Sequence, residues 1–404
     1  MKGAFWRTLL IALFVIGVGS RQGMLVVFAF ILAVATAASE LWGRFGLSNV
    51  SYRRHLGSDR IPYGEETSLV LEFVNAKPLP LAWLLVRDRY PGDISLLTAG
   101  LGKGSPHRSA RLVSLLSLRW YERVTRTHRI RGDHRGIHRF GPAELVSGDM
   151  FGAARHQRVD SEVDTLVVYP KVVPVHAADL PAGRPMGEWL ARRCISPDPL
   201  RFSMVRDYSP GDNPRYIHWK ATAHTLGLQT KVFDPSDTLT LTVAVDVQTS
   251  PRSYVCVSDY LEYVISAAAS LAVHALDERH AVGLCANGLG GGGQRCIRIK
   301  PGRHPQQMAN ILTALSSLSS FRGMPFDKML ATIIPSLQLG ETVVAITAAP
   351  QEPVYEVLAA LKEAGHGTML LTVGDAEATI PEQLASYHLG GRDAWHQLAT
   401  LDLG

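Results

Sequence analysis

Leu239–Val245 reads LTLTVAV, and Asp259–Arg279 reads DYLEYVISAAASLAVHALDER. The first is short and almost wholly apolar, which fits a strand buried on both faces. The second places its apolar residues at helical spacing throughout. Downstream the alternation continues. Ala281–Ala286 and Arg295–Ile299 read as strands, Gln306–Leu318 as a helix, Thr342–Thr347 as a strand, Val354–Ala364 as a helix and Thr368–Val373 as a strand. Strands and helices in turn predict a mostly parallel sheet covered by helices on both faces, over residues 238–404. Gly288 and Gly290–Gly293 stand between two of the strands. No Gly-Lys-Ser/Thr follows them and they open no helix, so they predict a hairpin tip rather than a phosphate loop.

Upstream the pattern differs. Thr67–Asn75 (TSLVLEFVN) alternates apolar and polar residues, Leu81–Arg87 is a more apolar run, and Leu166–Pro174 (LVVYPKVVP) is closed by prolines. Asn75–Pro80 and Pro91–Asp93 supply turn chemistry. With no long helical period, residues 48–175 predict a β-sandwich-type domain. Residues 176–237 are then a segment joining two domains.

The N-terminal residues 1–47 are more apolar still. Thr8–Ser20 and Gln22–Ser39 contain no charged side chain, and Arg21 alone separates them. About 20 apolar residues cross a hydrocarbon core, so the two stretches predict a transmembrane helical hairpin. Lys2 and Arg7 precede it, and Arg44, Arg53 and Arg54 follow. Positive charge on both outer flanks predicts a two-pass membrane protein with its soluble domains in the cytoplasm. A signal peptide cleaved near Ala35-Thr36-Ala37 is the rival reading, but the apolar stretch is too long and is interrupted by a charge.

The chain has 404 residues, 46% of them hydrophobic and 19% charged. Such a composition excludes a disordered chain. Its four cysteines, Cys194, Cys256, Cys285 and Cys296, show neither a disulfide framework nor zinc spacing. The net charge of +5 is local: residues 100–160 hold twelve Lys/Arg against five Asp/Glu. Arg119–Arg139 reads either as strands with solvated basic faces or as a contact with anionic lipid beside the membrane anchor. Without a recognition helix or RNP-type aromatic motif, nucleic acid is not expected. His128, His134 and His138 lie among arginines whose charge opposes a metal ion.

The densest chemistry lies in Val205–Phe233, VRDYSPGDNPRYIHWKATAHTLGLQTKVF. Arg206, Asp207, Asp212, Arg215, His218, Trp219 and Lys220 fall within fifteen residues. Pro210-Gly211 fits the centre of a type II turn. Opposite charges beside a tryptophan predict a mutually hydrogen-bonded cluster, with Trp219 offering a face for a guanidinium.

This segment resembles the signature of the domain of unknown function 58 family, carried here by Arg206, Asp207, Tyr208, Gly211, Asp212, Arg215, Ile217 and Trp219, with Lys220 beside them. The resemblance extends to Arg135-Gly136, Phe140-Gly141-Pro142, Ser147-Gly148-Asp149, Phe151-Gly152 and Val168-Tyr169-Pro170, and downstream through the α/β region. His224 departs from it, standing where that family usually has arginine. The resemblance implies a bacterial membrane-tethered protein with a von Willebrand factor type A-like α/β domain. It also implies a MoxR-type AAA+ ATPase partner, often with a transglutaminase-like membrane protein. It implies no established biochemical activity.

A working type A domain holds Mg²⁺ through Asp-x-Ser-x-Ser and further oxygen ligands. Here the run is Asp246-Val247-Gln248-Thr249-Ser250, and the later strand ends Thr347-Ala348-Ala349. Asp246 and Ser250 survive as a degenerate set, so no metal cofactor is expected and Asp246 reads better as a structural cap. Asp212 with His218, or with His224, could form an acid–base pair, yet no nucleophile elbow, zinc helix or nucleotide loop accompanies them. The sequence therefore predicts a non-enzymatic membrane-anchored adaptor. A hydrolase using Asp212 and His218, and a metal-dependent receptor using Asp246 and Ser250, stand as alternatives.

Overall fold

In the computed structural model, residues 11–16, 18–20, 22–97, 110–148, 155–176, 197–209, 216–225, 227–235, 240–252, 255–290, 294–338 and 340–402 are described. The chain divides into two compact units, Met1–Val168 and Tyr169–Gly404.

Helix α1 spans Gly23–Phe45, 23 residues. At 1.5 Å per residue it is about 35 Å long, and Gly23–Trp42 is apolar enough to cross a membrane. Met24, Phe28, Phe30, Ile31 and Val34 are exposed along it, a surface suited to lipid. Residues 11–16 and 18–19 are also helical. The rest of the expected first span, residues 8–10 and 17, with Arg21 after it, lies outside the described residues, so α1 is the one helix among the described residues long and apolar enough to span.

The end of α1 is fastened to the strands that follow. Helix carbonyls at a C-terminus lack intrahelical donors. Here Lys77 Nζ donates to the carbonyls of Gly46 (2.6 Å) and Ser48 (2.9 Å). Arg158 donates to those of Leu47 (3.2 Å) and Val50. Trp42 Nε1 donates to the Pro80 carbonyl at 2.9 Å.

Eleven strands follow among the described residues of this unit: β1 (Val50–Leu56), β2 (Arg60–Ile61), β3 (Glu66–Asn75), β4 (Leu81–Tyr90), β5 (Ile94–Leu96), β6 (Ala110–Leu118), β7 (Arg123–Gly132), β8 (Gly136–Phe140), β9 (Ala143–Gly148), β10 (Arg155–Asp160) and β11 (Asp164–Val168). They form sheets ordered β1-β3-β7-β5, β10-β9-β4-β6 and β2-β11-β8. Alternation explains the packing. On β6, Leu112, Ser114, Leu116 and Leu118 turn inward, while Arg111, Val113, Leu115 and Ser117 turn out. Leu69, Leu71 and Phe73 of β3 meet Leu84 and Val86 of β4 and Leu112 and Leu118 of β6 in one core. Two four-stranded sheets thus share an apolar interior. Each such buried side chain contributes about 1.5–3 kcal/mol.

The Phe140-Gly141-Pro142 motif has a packing reason. Arg54, buried inside this unit, pairs with Asp88 (2.7 Å) and Asp164 (2.8 Å), and Tyr52 donates to Asp88 at 2.7 Å. Gly141 sits at φ +98°, where a Cβ would overlap the Glu162 carbonyl and the Arg54 guanidinium. Only glycine leaves room for that ion pair.

In the second unit, β12 (Val175–His176) pairs in parallel with β21 (Leu401–Asp402). The chain from Tyr169 therefore belongs with the α/β core, and the strand expected over Leu166–Pro174 ends at Val168, with no strand over Tyr169–Pro174. β13 (Pro197–Asp207) and β14 (Gln229–Pro235) form an antiparallel ribbon, with helix α2 (Trp219–Thr225) in its connection.

The central sheet is ordered β17-β16-β15-β18-β19-β20. Its strands are β15 (Thr240–Val245), β16 (Ala281–Ala286), β17 (Ile297–Gly302), β18 (Thr342–Thr347), β19 (Gly367–Thr372) and β20 (Ser386–His388). All pairs are parallel except β16 with β17, so the glycine-rich connection joins an antiparallel pair. Helices α3 (Ser258–Asp277) and α4 (Gln306–Ser317) cover one face over Leu241, Val243 and Val245. Helices α5 (Phe326–Ile333) and α6 (Glu352–Glu363) cover the other over Ala244, Val343 and Ala345. A short α7 (Arg392–His396) precedes β21. The α/β architecture read from the sequence is observed from Thr240 onward.

Candidate functional site at the sheet switch point

β15 is the first strand of the sheet, and the chain then runs outward to one side through β16 and to the other through β18. Crevices beyond the carboxyl ends of strands at such a reversal are where open α/β sheets bind ligands. Three polar residues end the three apolar strands there: Asp246, Asn287 and Thr347. All three are buried.

Asp246 stands at the centre. Its Oδ1 accepts the Asn287 Nδ2–H at 2.7 Å and the Gln248 backbone N–H at 2.9 Å. Its Oδ2 accepts the Thr347 hydroxyl at 2.8 Å. The hydroxyl in turn accepts the Ala349 N–H at 3.1 Å, which aims its own proton at the carboxylate. Asn287 Oδ1 accepts the Val247 N–H at 2.8 Å. Burial pushes the Asp246 carboxyl above the usual range, against the opposing pull of those donors.

This donor set does not fit a divalent cation. The groups converging on Asp246 present protons to it, whereas Mg²⁺ needs oxygen lone pairs in near-octahedral array. Ser250 Oγ accepts the Arg252 N–H at 3.3 Å, and the Ser250 carbonyl takes the Gln248 amide at 2.7 Å. Ala348 and Ala349 offer no side-chain ligand. Among the described residues no three His, Cys, Asp or Glu side chains converge as a metal set. His128 and His138 lie on different strands, and His138 Nε2 is 3.0 Å from the His134 carbonyl.

Above the sealed carboxylate the rim is apolar and open. Leu289 and Phe321 are 49% and 70% exposed, and the Leu289 N–H donates to the Phe321 carbonyl at 3.2 Å. Gly288 and Arg322 form an antiparallel bridge, and the Gly323 N–H donates to the Asn287 carbonyl at 2.7 Å. A Cβ at Gly323 would overlap the Arg295 carbonyl, so glycine permits this close approach. Arg322 donates to the Gln248 side-chain oxygen. The rim is thereby tied to the residues that hold Asp246.

The Val205–Phe233 segment is placed in part. Gly211, Asp212 and Arg215 lie outside the described residues. Asp207 Oδ1 accepts the Gln229 amide at 2.5 Å across the β13–β14 ribbon, and Arg206 donates to the Asp207 carbonyl at 3.1 Å. The Tyr208 N–H donates to the Leu228 carbonyl at 2.8 Å, and Ile217 bridges Thr230. His218 Nδ1 accepts the Ala221 N–H at 2.9 Å, capping α2. Lys220 and His224 are exposed. Trp219 corrects the picture of a closed cluster: it is 69% exposed. At the first position of a short helix packed on one side by β14, its ring is left on the solvent side.

Nothing in the sequence alone marks Asn287 and Thr347 as partners of Asp246. The available signal was a polar residue at the end of each of three apolar strands, which becomes a site only once the strand order is known.

The family model described as "Protein of unknown function DUF58" matches residues 204–329. That range holds Asp246, Asn287 and Phe321 but not Thr347. A curated relative, the "Uncharacterized protein YeaD" of Bacillus subtilis (strain 168), is 24% identical over 253 residues. The match covers 60% of this chain and 57% of that protein. Among solved structures, a cohesin module from a Clostridium perfringens family 33 glycoside hydrolase gives a TM-score of 0.21 at 10% identity, over 30% of this chain and 96% of that one. An Escherichia coli alpha-2-macroglobulin fragment gives 0.23 at 15%, over 43% and 25%. Neither likeness bears on function at such scores.

Proposed function

We propose that this chain is a membrane-anchored interaction protein whose α/β unit presents the carboxyl end of its sheet to a partner protein. The observation that carries the reading is the pairing of exposed Phe321 and Leu289 over an Asp246 whose oxygens already accept three donors. A catalytic or metal centre keeps reactive groups open, whereas a docking surface keeps them satisfied and exposes aromatic and aliphatic anchors. The strand order supports a von Willebrand factor type A-like reading of this unit. The family resemblance supports a MoxR-type AAA+ ATPase as the partner in envelope-related assembly, with a transglutaminase-like membrane protein alongside. The anchor is a two-pass hairpin in a bacterial plasma membrane, with both units cytoplasmic and no enzymatic activity of their own.

The hydrolase alternative is weakened by His218, whose Nδ1 is engaged in capping α2. The metal-receptor alternative is weakened by the donor set around Asp246. Pull-down of the full chain from detergent-solubilised membranes tests the proposal. An AAA+ ATPase should be recovered with the parent chain and lost with Phe321→Ser and Leu289→Ser at unchanged melting temperature. Equal recovery with both variants would sink this docking surface.

A further inference from the structure

Trp120 and Tyr121 form the tip of the β6–β7 connection and are 69% and 70% exposed. Tyr121 holds φ +49°, a left-handed conformation unusual for a bulky residue. An aromatic pair left in the open on a backbone of that kind gives no packing return within the unit.

The connection is joined by hydrogen bonds to the end of α1. The Tyr121 N–H donates to the Lys77 carbonyl at 3.2 Å, and Lys77 Nζ donates to the Gly46 and Ser48 carbonyls. Asn75 Nδ2 donates both to the Arg119 carbonyl (2.7 Å) and to the Leu79 carbonyl (3.0 Å). The next residue, Pro80, accepts the Trp42 indole N–H. Trp42 lies inside the apolar span itself, at its last residue. The aromatic tip is therefore held at the end of the unit from which α1 departs.

We infer that Trp120 and Tyr121 are a second membrane anchor, seated in the headgroup interface of the same bilayer that α1 crosses. Amphipathic rings with a polar edge favour that depth, and Trp42 belongs to the same belt. The charge around the tip is net positive: Arg119 and Arg123 flank it, Arg44 ends α1, and these outnumber Glu122, whose carboxylate accepts the Arg119 N–H at 2.5 Å. Arg123 is paired with Glu72 at 3.1 Å while remaining 69% exposed, so it can meet a phosphate without leaving its strand. One helix fixes a domain to a membrane but lets it swivel. A second contact fixes which end of the sheets faces the lipid.

The inference rests on the reading of α1 as a membrane span, and the experiment separates the two. An environment-sensitive fluorescent amino acid is placed at position 31, 120, 121 or 134 of the full chain. Each protein is reconstituted in vesicles of phosphatidylethanolamine and phosphatidylglycerol, with and without brominated acyl chains. Position 134 lies beyond the far end of β7, ten residues long, so about 30 Å from the tip. Positions 31, 120 and 121 should shift to shorter wavelength and be quenched by bromine, with 134 unchanged. Quenching at 31 but not at 120 or 121 overturns the second anchor and leaves the span intact. Quenching at none of them overturns both readings.

Discussion

Asn287 donates from Nδ2 to Asp246 Oδ1 at 2.7 Å and takes back, through Oδ1, the N–H of Val247 at 2.8 Å. One amide thus ties the ends of β15 and β16 together, while Thr347 ties in β18 from the other side. The side chains thus close the switch point just where the backbone ladder makes its last bonds, Asp246 N–H to the Ile346 carbonyl at 2.9 Å and Asn287 N–H to the Val245 carbonyl at 3.3 Å.

Asp246→Ala should be strongly destabilising, because it strands buried Asn287 and Thr347 groups at about 1–3 kcal/mol each. Asp246→Asn keeps the shape and should cost far less. The two variants also separate with pH. A carboxyl raised in the fold contributes stability below the ordinary carboxylate range, and that contribution is lost as pH rises through the folded value. Urea titrations across acid to neutral pH should show the parent losing stability relative to Asp246→Asn, then running parallel above. A constant difference throughout would refute the buried-carboxyl assignment.

Trp219→Ala should change stability little, because the ring is mostly exposed, and surface changes usually stay within about 0.5 kcal/mol. A buried tryptophan would have cost about 3–5 kcal/mol. Chemical denaturation of the detergent-solubilised chain distinguishes these. A loss of that larger size would show that the ring packs inward.

The architecture of residues 238–404 was legible because buried parallel strands are uniformly apolar and their helices are not. Leu239–Val245 and Asp259–Arg279 could hardly exchange roles. The β region was legible from alternation on β3 and β6. What alternation cannot convey is which strands become neighbours, so Asn287 and Thr347 could not be assembled around Asp246. Nor does a cluster of charges reveal which members face water. Asp207 closes on Gln229 twenty-two positions away, while Trp219 in the same motif faces out. In sequence Arg54 is one more positive charge flanking the apolar stretch, yet in the fold it is buried between Asp88 and Asp164.

That buried pair yields its own expectation. Arg54→Met leaves Asp88 inside the unit without its cation, and breaking a buried pair costs about 3–5 kcal/mol. Burial already pushes the Asp88 carboxyl up, against Tyr52 and Arg54, so neutralising it relieves the fault. Arg54→Met/Asp88→Asn should recover part of the loss in denaturant melts. A double variant as unstable as the sum of its singles would show that the two residues are not coupled.

The proposed two-pass anchor places both ends of the chain on one side. A reporter active only in the cytoplasm should report there whether fused before Met1 or after Gly404. Opposite locations would mean that α1 alone crosses, with Lys2 and Arg7 on the other side of the membrane from Arg44, and would overturn the positive-inside argument for two spans.

Lys77 offers the sharpest titration. Burial beneath the end of α1, with help from the nearby Arg158 charge, lowers its ammonium to about 8. The unfolded chain holds that proton up to an ordinary lysine value, so between about 8 and that value the unfolded state binds more protons. Stability should therefore rise with pH across this window and be flat below it. Lys77→Met removes the pH-dependent rise, but strands the carbonyls of Gly46 and Ser48 and so lowers stability at every pH. Selective labelling of lysine and observation by NMR give the group's titration directly. A Lys77 signal moving near 8 confirms that the clasp on α1 is held in a dry environment. A signal moving only at the ordinary lysine value would mean that water reaches the junction between the helix and the strands.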